Sequence, residues 1–151
     1  MIDIGLRMGS ISVLATLVVL QSGCGRTDRQ QTALVHGIVT LDGKPLEMGE
    51  VIFAPENGRA ATGTIRMDGS FELGTYKKDD GAILGTHKVA VEAREQLEGE
   101  SPGAPLISRL GRSLIPEHYS DQETSKLRYE VTEDGNEFHI QLFKNPATSE
   151  Y

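Results

Sequence analysis

The fold of this chain is decided by one stretch, VHGIVTLDGKPLEMGEVIFAP, which occupies residues 35–55. Small or apolar side chains recur at every second position on both sides of a turn, which is typical of two strands that bury one face. These positions are Val35, Gly37 and Val39 before the turn, and Val51 and Phe53 after it. At the turn, Asp42-Gly43 tolerates a positive φ and Pro45 fixes φ shortly afterwards. The stretch therefore predicts strand, turn, strand.

The rest of the sequence continues in the same way. Further strands are predicted at residues 60–66, 70–75, 85–94, 127–131 and 138–142. Turn signals separate them, including Asp68-Gly69, and Asp134-Gly135-Asn136 is expected to join the last two strands as a hairpin. About seven short strands with turns every eight to twelve residues, and no long helical pattern, indicate an all-β, antiparallel, seven-stranded sandwich. An open barrel is the structural alternative.

Residues 85–94 form the clearest predicted strand. Val89 and Val91 are expected to face the core, with Lys88, Ala90 and Glu92 on the other side. Residues 114–119 read as an extended segment. Residues 96–112 contain several glycines and prolines and have no stable period, so they predict a long loop that is either functional or mobile.

Composition and charge narrow the classes of function. The 151 residues leave room for one domain after a short N-terminal segment, and about 110 residues can bury a core without disulfides or a structural metal. The formal net charge is −7, and the sequence contains no Trp. Nucleic-acid backbones are bound by basic patches, so a nucleic-acid partner is not expected.

The N-terminus predicts export and a lipid anchor. Residues 11–20 are a ten-residue apolar run, too short to span a bilayer comfortably and typical of a signal peptide. The segment ending Ser22-Gly23-Cys24 resembles a bacterial lipoprotein signal, although Gln21 stands where that pattern prefers Leu. The resemblance implies lipidation of Cys24, the only cysteine of the sequence. The alternatives are ordinary secretion with an unmodified Cys24, and an uncleaved membrane helix.

These predictions divide the chain into four parts. Residues 1–23 are interpreted as a lipoprotein signal peptide, and 24–33 as a polar tether that begins with the lipidated cysteine. Residues 34–143 are interpreted as the sandwich, and 144–151 as a flexible tail. The expected location is the cell envelope, lipid-anchored to a bacterial membrane and facing the periplasm or the exterior.

Three motifs carry a family resemblance. They are Gly37-x-Val39-x-x-Asp42-Gly43-Lys44-Pro45-Leu46, then Gly49-x-Val51-x-Phe53-x-Pro55, then Gly63-x-Ile65-x-x-Asp68-Gly69-x-Phe71. Together they resemble the transthyretin-like, carboxypeptidase-regulatory-like β-sandwich. The version of this domain on small exported lipoproteins of planctomycete-type bacteria is resembled by three later motifs, Gly85-x-His87-x-Val89-x-Val91, Ile115-Pro116-x-x-Tyr119 and Ser125-x-Leu127-x-x-x-Val131. The matching residues are turn and core positions, so the resemblance implies a fold and a lineage but no activity.

Candidate metal ligands are few. Isolated Asp-Gly pairs at Asp42, Asp68, Asp80 and Asp134 lack the closely spaced oxygens of a calcium loop and are interpreted as turns. The histidines lack zinc-type spacing and are expected to pack at the surface or at sheet edges. They are His36, His87, His118 and His139. We therefore predict no metal and no cofactor.

Catalysis is not expected either. Intradiol dioxygenases share the sandwich and bind iron with two Tyr and two His. Tyr119, Tyr129, His118 and His139 are of these types, but the paired His-x-His is missing. The sequence also lacks a Gly-x-Ser-x-Gly elbow. A carbohydrate-binding module would stack sugars on exposed aromatic rings. Four tyrosines without any Trp make a flat platform improbable, and Tyr119 and Tyr129 are expected to pack in the core or at an edge.

The sequence thus predicts a non-catalytic, membrane-tethered interaction module that binds an envelope protein or another envelope component. Sheet edges and the loop at residues 96–112 are the expected contact regions. The alternative is small-ligand or carbohydrate binding. Deleting residues 101–110 is expected to leave the fold intact and to impair capture of the partner.

Overall fold

The computed structural model describes residues 29–95 and 111–145, and these residues form an all-β fold. Within these ranges the structure contains one short 3₁₀ helix, at Glu117–Ser120. Ten strands are present within these ranges: β1 (Thr32–Ala33), β2 (Val35–Leu41), β3 (Lys44–Pro45), β4 (Gly49–Pro55), β5 (Ala61–Ile65), β6 (Ser70–Glu72), β7 (Ala82–Ile83), β8 (Gly85–Glu92), β9 (Leu127–Val131) and β10 (Asn136–Leu142).

The strands form two four-stranded sheets and a small ribbon. Sheet I contains β10, β2, β3 and β6, and both β3 and β6 pair with β2. Sheet II has the order β5-β4-β8-β9, with antiparallel neighbours throughout. The ribbon pairs β1 with β7. Neither strand order closes on itself among the described residues, so the barrel alternative is wrong.

The core lies between the two sheets because alternate residues of each strand point inwards. In β2, Val35, Gly37 and Val39 are buried while His36 and Ile38 are exposed, as the period-two pattern predicts. Val51 and Phe53 of β4 are completely buried, which also confirms the sequence-based expectation.

Phe53 holds the two layers together. Its ring lies 6.4 Å from the Phe71 ring and 5.8 Å from the Phe138 ring, both in sheet I, measured between centroids. It also lies 5.8 Å from His87 and 5.9 Å from Tyr129 in its own sheet. A single side chain therefore contacts aromatic rings of both sheets.

Residues 35–55 contain the predicted turn, but the two strands on either side of it lie in different sheets. Asp42 and Gly43 have φ of 50° and 78°, and the chain after them returns as β3 beside β2. It then crosses over, so that β4 pairs with β5 and β8 in sheet II. A pattern of alternating apolar residues indicates which face of a strand is buried, but it does not indicate which sheet the strand joins.

The predicted hairpin between the last two strands is wrong. β9 pairs with β8 in sheet II, whereas β10 pairs with β2 in sheet I, from Asn136 opposite Val35 to Leu142 opposite Leu41. The β2–β10 pair is parallel, so the expectation of a wholly antiparallel fold also needs correction. A bend at residues 133–134 carries the chain from one sheet to the other.

Three smaller expectations are corrected. Ala90, expected on the outer side of its strand, is 1% exposed, and the 3₁₀ helix lies against that same strand, β8. Within the predicted extended segment 114–119, residues from Glu117 onwards are helical. The structure begins its first strand at Thr32–Ala33, inside the segment interpreted as a tether.

The segment predicted as a loop is joined at its two ends. The Glu95 N–H donates to the Arg112 carbonyl oxygen at 2.9 Å, and Arg94 and Ser113 form an antiparallel bridge. The predicted signal peptide, Cys24 and the predicted tail from residue 146 lie outside the described residues, as do residues 96–110 of the predicted loop.

Candidate interaction surface

Two strands at the ends of the sheets lie on the same side of the fold. β9 is the last strand of sheet II and β10 is the terminal strand of sheet I, in the part of the chain that is described. A terminal strand has backbone N–H and C=O groups on its outer side that can pair with an extended segment of another protein. We call this region, residues 127–142, the β9–β10 side.

Two aromatic rings join these edges. The centroids of Tyr129 on β9 and Phe138 on β10 are 4.9 Å apart, and both side chains are partly buried. The Tyr129 hydroxyl donates to the backbone oxygen of His139 at 3.4 Å. Burial raises the pKa of Tyr129, because desolvation disfavours the phenolate. The two sheet edges are therefore held at a fixed separation.

An exposed apolar residue continues this surface onto the outer face of sheet I. Ile38 is 43% exposed, and with Phe138, Glu137 and His139 it lines a shallow depression of about 350 Å³. The His139 ring beside it is positioned by a 3.2 Å contact between its Nε2 and the Thr40 hydroxyl. The depression combines apolar area with a carboxylate and an imidazole.

Charged side chains occupy the outward positions of both strands. Arg128 and Glu130 are exposed on β9, and Glu137 is exposed on β10. Arg128 also donates to the backbone oxygens of Leu127 at 2.7 Å and Gln122 at 3.3 Å. Charges on edge strands discourage indiscriminate strand pairing, so a partner would have to complement them.

Asn136 sets the position of β10 relative to β9. Its side-chain oxygen accepts a hydrogen bond from the Thr132 N–H at 2.9 Å. Its side-chain nitrogen donates to the Thr132 and Leu34 carbonyl oxygens, at 2.9 and 3.2 Å. The Asn136 side chain is 5% exposed, and these part-buried bonds connect the end of β9 to the start of β2.

Asp42 and Asp68 lie in turns as predicted, whereas Asp80 directly follows a turn at residues 78–79 and Asp134 lies in a bend. The Asp68 carboxylate accepts from the Ser70 hydroxyl at 2.6 Å and from its N–H at 3.0 Å. The hydroxyl contact is the main reason that the pKa of Asp68 is lowered. Asp42 accepts from the Lys144 N–H at 3.1 Å. Asp80 accepts from three backbone N–H groups, and the Asp134 backbone oxygen accepts from Thr132.

The histidines divide into two groups. His36, His118 and His139 are exposed, as expected. His87 is completely buried, so the prediction of a surface or edge position is wrong for this residue. Its Nε2 lies 2.7 Å from the Ile83 carbonyl oxygen. A carbonyl can only accept, so Nε2 is the donor of this bond, and Nδ1 has no hydrogen-bond partner among the described residues.

The three tyrosines that the structure describes do not form a flat platform for a sugar. Tyr119 is 8% exposed, and its hydroxyl accepts from the Phe143 N–H at 3.2 Å. Tyr129 packs between the sheets, as described above. The guanidinium carbon of Arg29 lies 5.6 Å from the centroid of the Tyr76 ring. The predicted packing of Tyr119 and Tyr129 is confirmed.

Sequence reasoning missed two structural residues for different reasons. His87 has the same parity as Val89 and Val91 along β8, so alternation alone could have placed it inside. Asn136 was assigned to a turn, and its bond to Leu34 connects residues 102 positions apart. No local pattern encodes such a contact.

Residues 29–95 and 111–145 contain neither a metal-binding cluster nor a membrane-spanning helix. No three of their His, Cys, Asp and Glu side chains are grouped in a way that could hold a metal ion. No helix in these ranges has the length and hydropathy needed to cross a membrane. In comparisons with known proteins, no family model, curated protein or solved structure matches the chain.

Proposed function

We propose that the chain is a non-enzymatic lipoprotein of a bacterial envelope, anchored through lipidated Cys24, whose β-sandwich binds another envelope protein along the β9–β10 side. In this proposal the fold belongs to the transthyretin-like class that the Gly, Asp-Gly and apolar motifs of residues 37–71 resemble. The domain faces the periplasm or the exterior, and residues 1–23 are removed as a signal peptide.

The observation that carries the interaction is the placement of two sheet edges next to each other. An extended partner segment can extend either sheet with backbone hydrogen bonds, while Tyr129 and Phe138 supply apolar contact at the centre. Aromatic residues surrounded by polar ones are typical of the centre of protein interfaces. The exposed Ile38 lies one strand away and enlarges the apolar area.

The anchor rests on the sequence of the N-terminus. An apolar run followed by small residues and a cysteine is the arrangement that lipoprotein processing requires. One acyl chain binds a membrane only marginally, so several chains on one residue are needed for durable attachment. The non-catalytic reading rests on the missing His-x-His pair and the missing serine elbow.

The interaction is tested by site-specific photocrosslinking in native envelopes. A photoreactive residue replaces Glu130 on β9 or Glu137 on β10, and the matched control replaces Glu56, an exposed residue of the turn after β4. The expected result is a discrete adduct from the first two positions and none from Glu56. Identical adducts from all three positions, or none from β9 and β10, would contradict the proposal.

The anchor is tested separately by mass spectrometry of the mature N-terminus. Cys24 is expected to carry a thioether-linked lipid and an acylated amine, and Cys24→Ser is expected to release the protein from the membrane fraction. An unmodified Cys24 in membrane-bound protein would contradict the anchoring. It would leave the crosslinking result unaffected.

A further inference from the structure

A second surface, distant in sequence from the β9–β10 side, has the features of a ligand site. A groove of about 600 Å³ lies between β5 and the segment that follows β6. Grooves that bind small molecules commonly have volumes of about 300–1,000 Å³. Its walls include Arg59, Thr62, Thr64, Arg66, Lys77 and Lys78.

The groove concentrates positive charge in an acidic protein. Four of the 15 Lys and Arg residues line it, although the chain has a net charge of −7. Arg66 pairs with Glu72 at 3.0 Å. Lys78 lies 3.7 Å from Asp79, but its side chain is 90% exposed, so this pair is weak. Arg59 and Lys77 form no ion pair with any described residue.

The segment that carries the two lysines is held in place by one carboxylate. Asp80 accepts from the backbone N–H groups of Thr75, Tyr76 and Lys77, at 2.6, 3.2 and 3.1 Å. The Thr75 hydroxyl donates to the Gly81 carbonyl oxygen at 2.7 Å. The backbone is therefore organised before a ligand arrives, which reduces the entropy lost on binding.

The opposite wall is an edge strand that offers hydroxyl groups. Thr62 and Thr64 are exposed on β5, and neither hydroxyl bonds to a described residue. The backbone of Thr62 exchanges two hydrogen bonds with Gly74, at 3.0 and 2.9 Å. These bonds fix the two walls relative to each other. The groove is therefore formed by two hydrogen-bonded segments of the fold and is not a gap between independent loops.

The mixture of groups indicates the class of ligand. Arginine and lysine favour carboxylates and other anions, and threonine hydroxyls can donate or accept. The carboxylates of Glu72 and Asp79 also line the groove. They would repel a compact polyphosphate but would accept hydrogen bonds from sugar hydroxyls. We infer that the groove binds an acidic oligosaccharide whose sugars carry carboxylate groups.

The test uses the full chain in detergent and three probes. They are tetragalacturonate, its fully methyl-esterified form and pyrophosphate, each titrated while amide chemical shifts are recorded. We expect shifts of Thr62, Thr64 and Lys77 with tetragalacturonate, and no saturable shifts with the uncharged ester. Equal binding of the ester, stronger binding of pyrophosphate, or no binding of tetragalacturonate would overturn the assignment.

A pair of charge variants locates the site. Arg59→Gln with Lys77→Gln removes the two uncompensated cations, and Lys44→Gln with Lys144→Gln removes the same charge elsewhere on the exposed surface. We expect the affinity for tetragalacturonate to fall about tenfold in the groove variant and less than about twofold in the control. Equal losses would overturn the assignment, because they would mean that only the net charge matters. None of these residues lies on the β9–β10 side, so the outcome is independent of the crosslinking test.

Discussion

Replacing Gly37 with alanine tests the least expected feature of the fold, the parallel pairing of β2 with β10. Gly37 lies opposite Phe138 of β10 on one side and opposite Phe71 of β6 on the other. A Cβ added to it would lie 2.9 Å from two atoms of the Phe71 ring and closer still to the Phe138 backbone oxygen. Such contacts are well inside van der Waals distance, and the oxygen belongs to the paired strand.

The expected cost follows from the number of neighbours that must move. Overpacking one extra carbon into a dense core costs about 1–3 kcal/mol. The Phe138 backbone and the Phe71 ring must both move here, so we expect Gly37→Ala to lower the free energy of unfolding by about 3 kcal/mol. Urea unfolding followed by circular dichroism measures it. With an m-value of about 2 kcal/mol/M, the midpoint should fall by about 1.5 M.

The matched control is Gly135→Ala. No atom lies within 4 Å of a Cβ at Gly135, and its φ is outside the left-handed region. The same chemical change there should be neutral or stabilise by about 0.4–1 kcal/mol, because alanine restricts the unfolded chain. If β10 instead formed a hairpin with β9, Gly37 would not face Phe138. A Gly37→Ala midpoint equal to that of Gly135→Ala would therefore refute the parallel pairing.

Three further substitutions address the core, the connection between the sheets and the interaction surface. Phe53→Ala removes the ring that contacts both sheets and should lower the free energy of unfolding by about 3–5 kcal/mol in the same urea assay; a loss below about 1 kcal/mol would contradict its central role. Asn136→Ala leaves the Leu34 oxygen and two Thr132 backbone groups without their partner and should lower the free energy of unfolding by about 2–3 kcal/mol. Asn136→Asp keeps the acceptor for the Thr132 N–H, but it replaces the donor with a buried carboxylate oxygen that faces the carbonyl oxygens of Leu34 and Thr132, so its loss should be at least as large. A loss below about 1 kcal/mol for Asn136→Asp would contradict the importance of the two donated hydrogen bonds. The pKa of Tyr129 is raised above its ordinary value of 10.0 by burial, so the stability linked to this phenol is present below about pH 10 and lost as the pH rises through the folded-state pKa. Tyr129→Phe should consequently flatten the fall in melting temperature above pH 10, and an unchanged alkaline slope would contradict this linkage.

The sequence by itself determined the class of the fold and the local elements. Period-two burial in residues 35–39 and 51–53 identified the inward faces correctly, because the alternation of side chains is a property of the strand alone. The turns at Asp42-Gly43 and Asp68-Gly69 were also predictable, since the tolerance of glycine for a positive φ is a local property, and Gly43 and Gly69 have φ of 78° and 81°. The lipid-anchor prediction for Cys24 depends on the sequence alone as well.

The tertiary structure decided which strands meet. The same alternation is compatible with either sheet, so the patterns of β9 and β10 could not reveal that one pairs with β8 and the other with β2. The groove likewise assembles Arg59 and Lys77 from segments separated by two strands. Contacts between distant segments depend on how whole sheets pack against each other. The free energy that favours one pairing over another comes from many residues in different segments, so no single stretch of sequence reveals it.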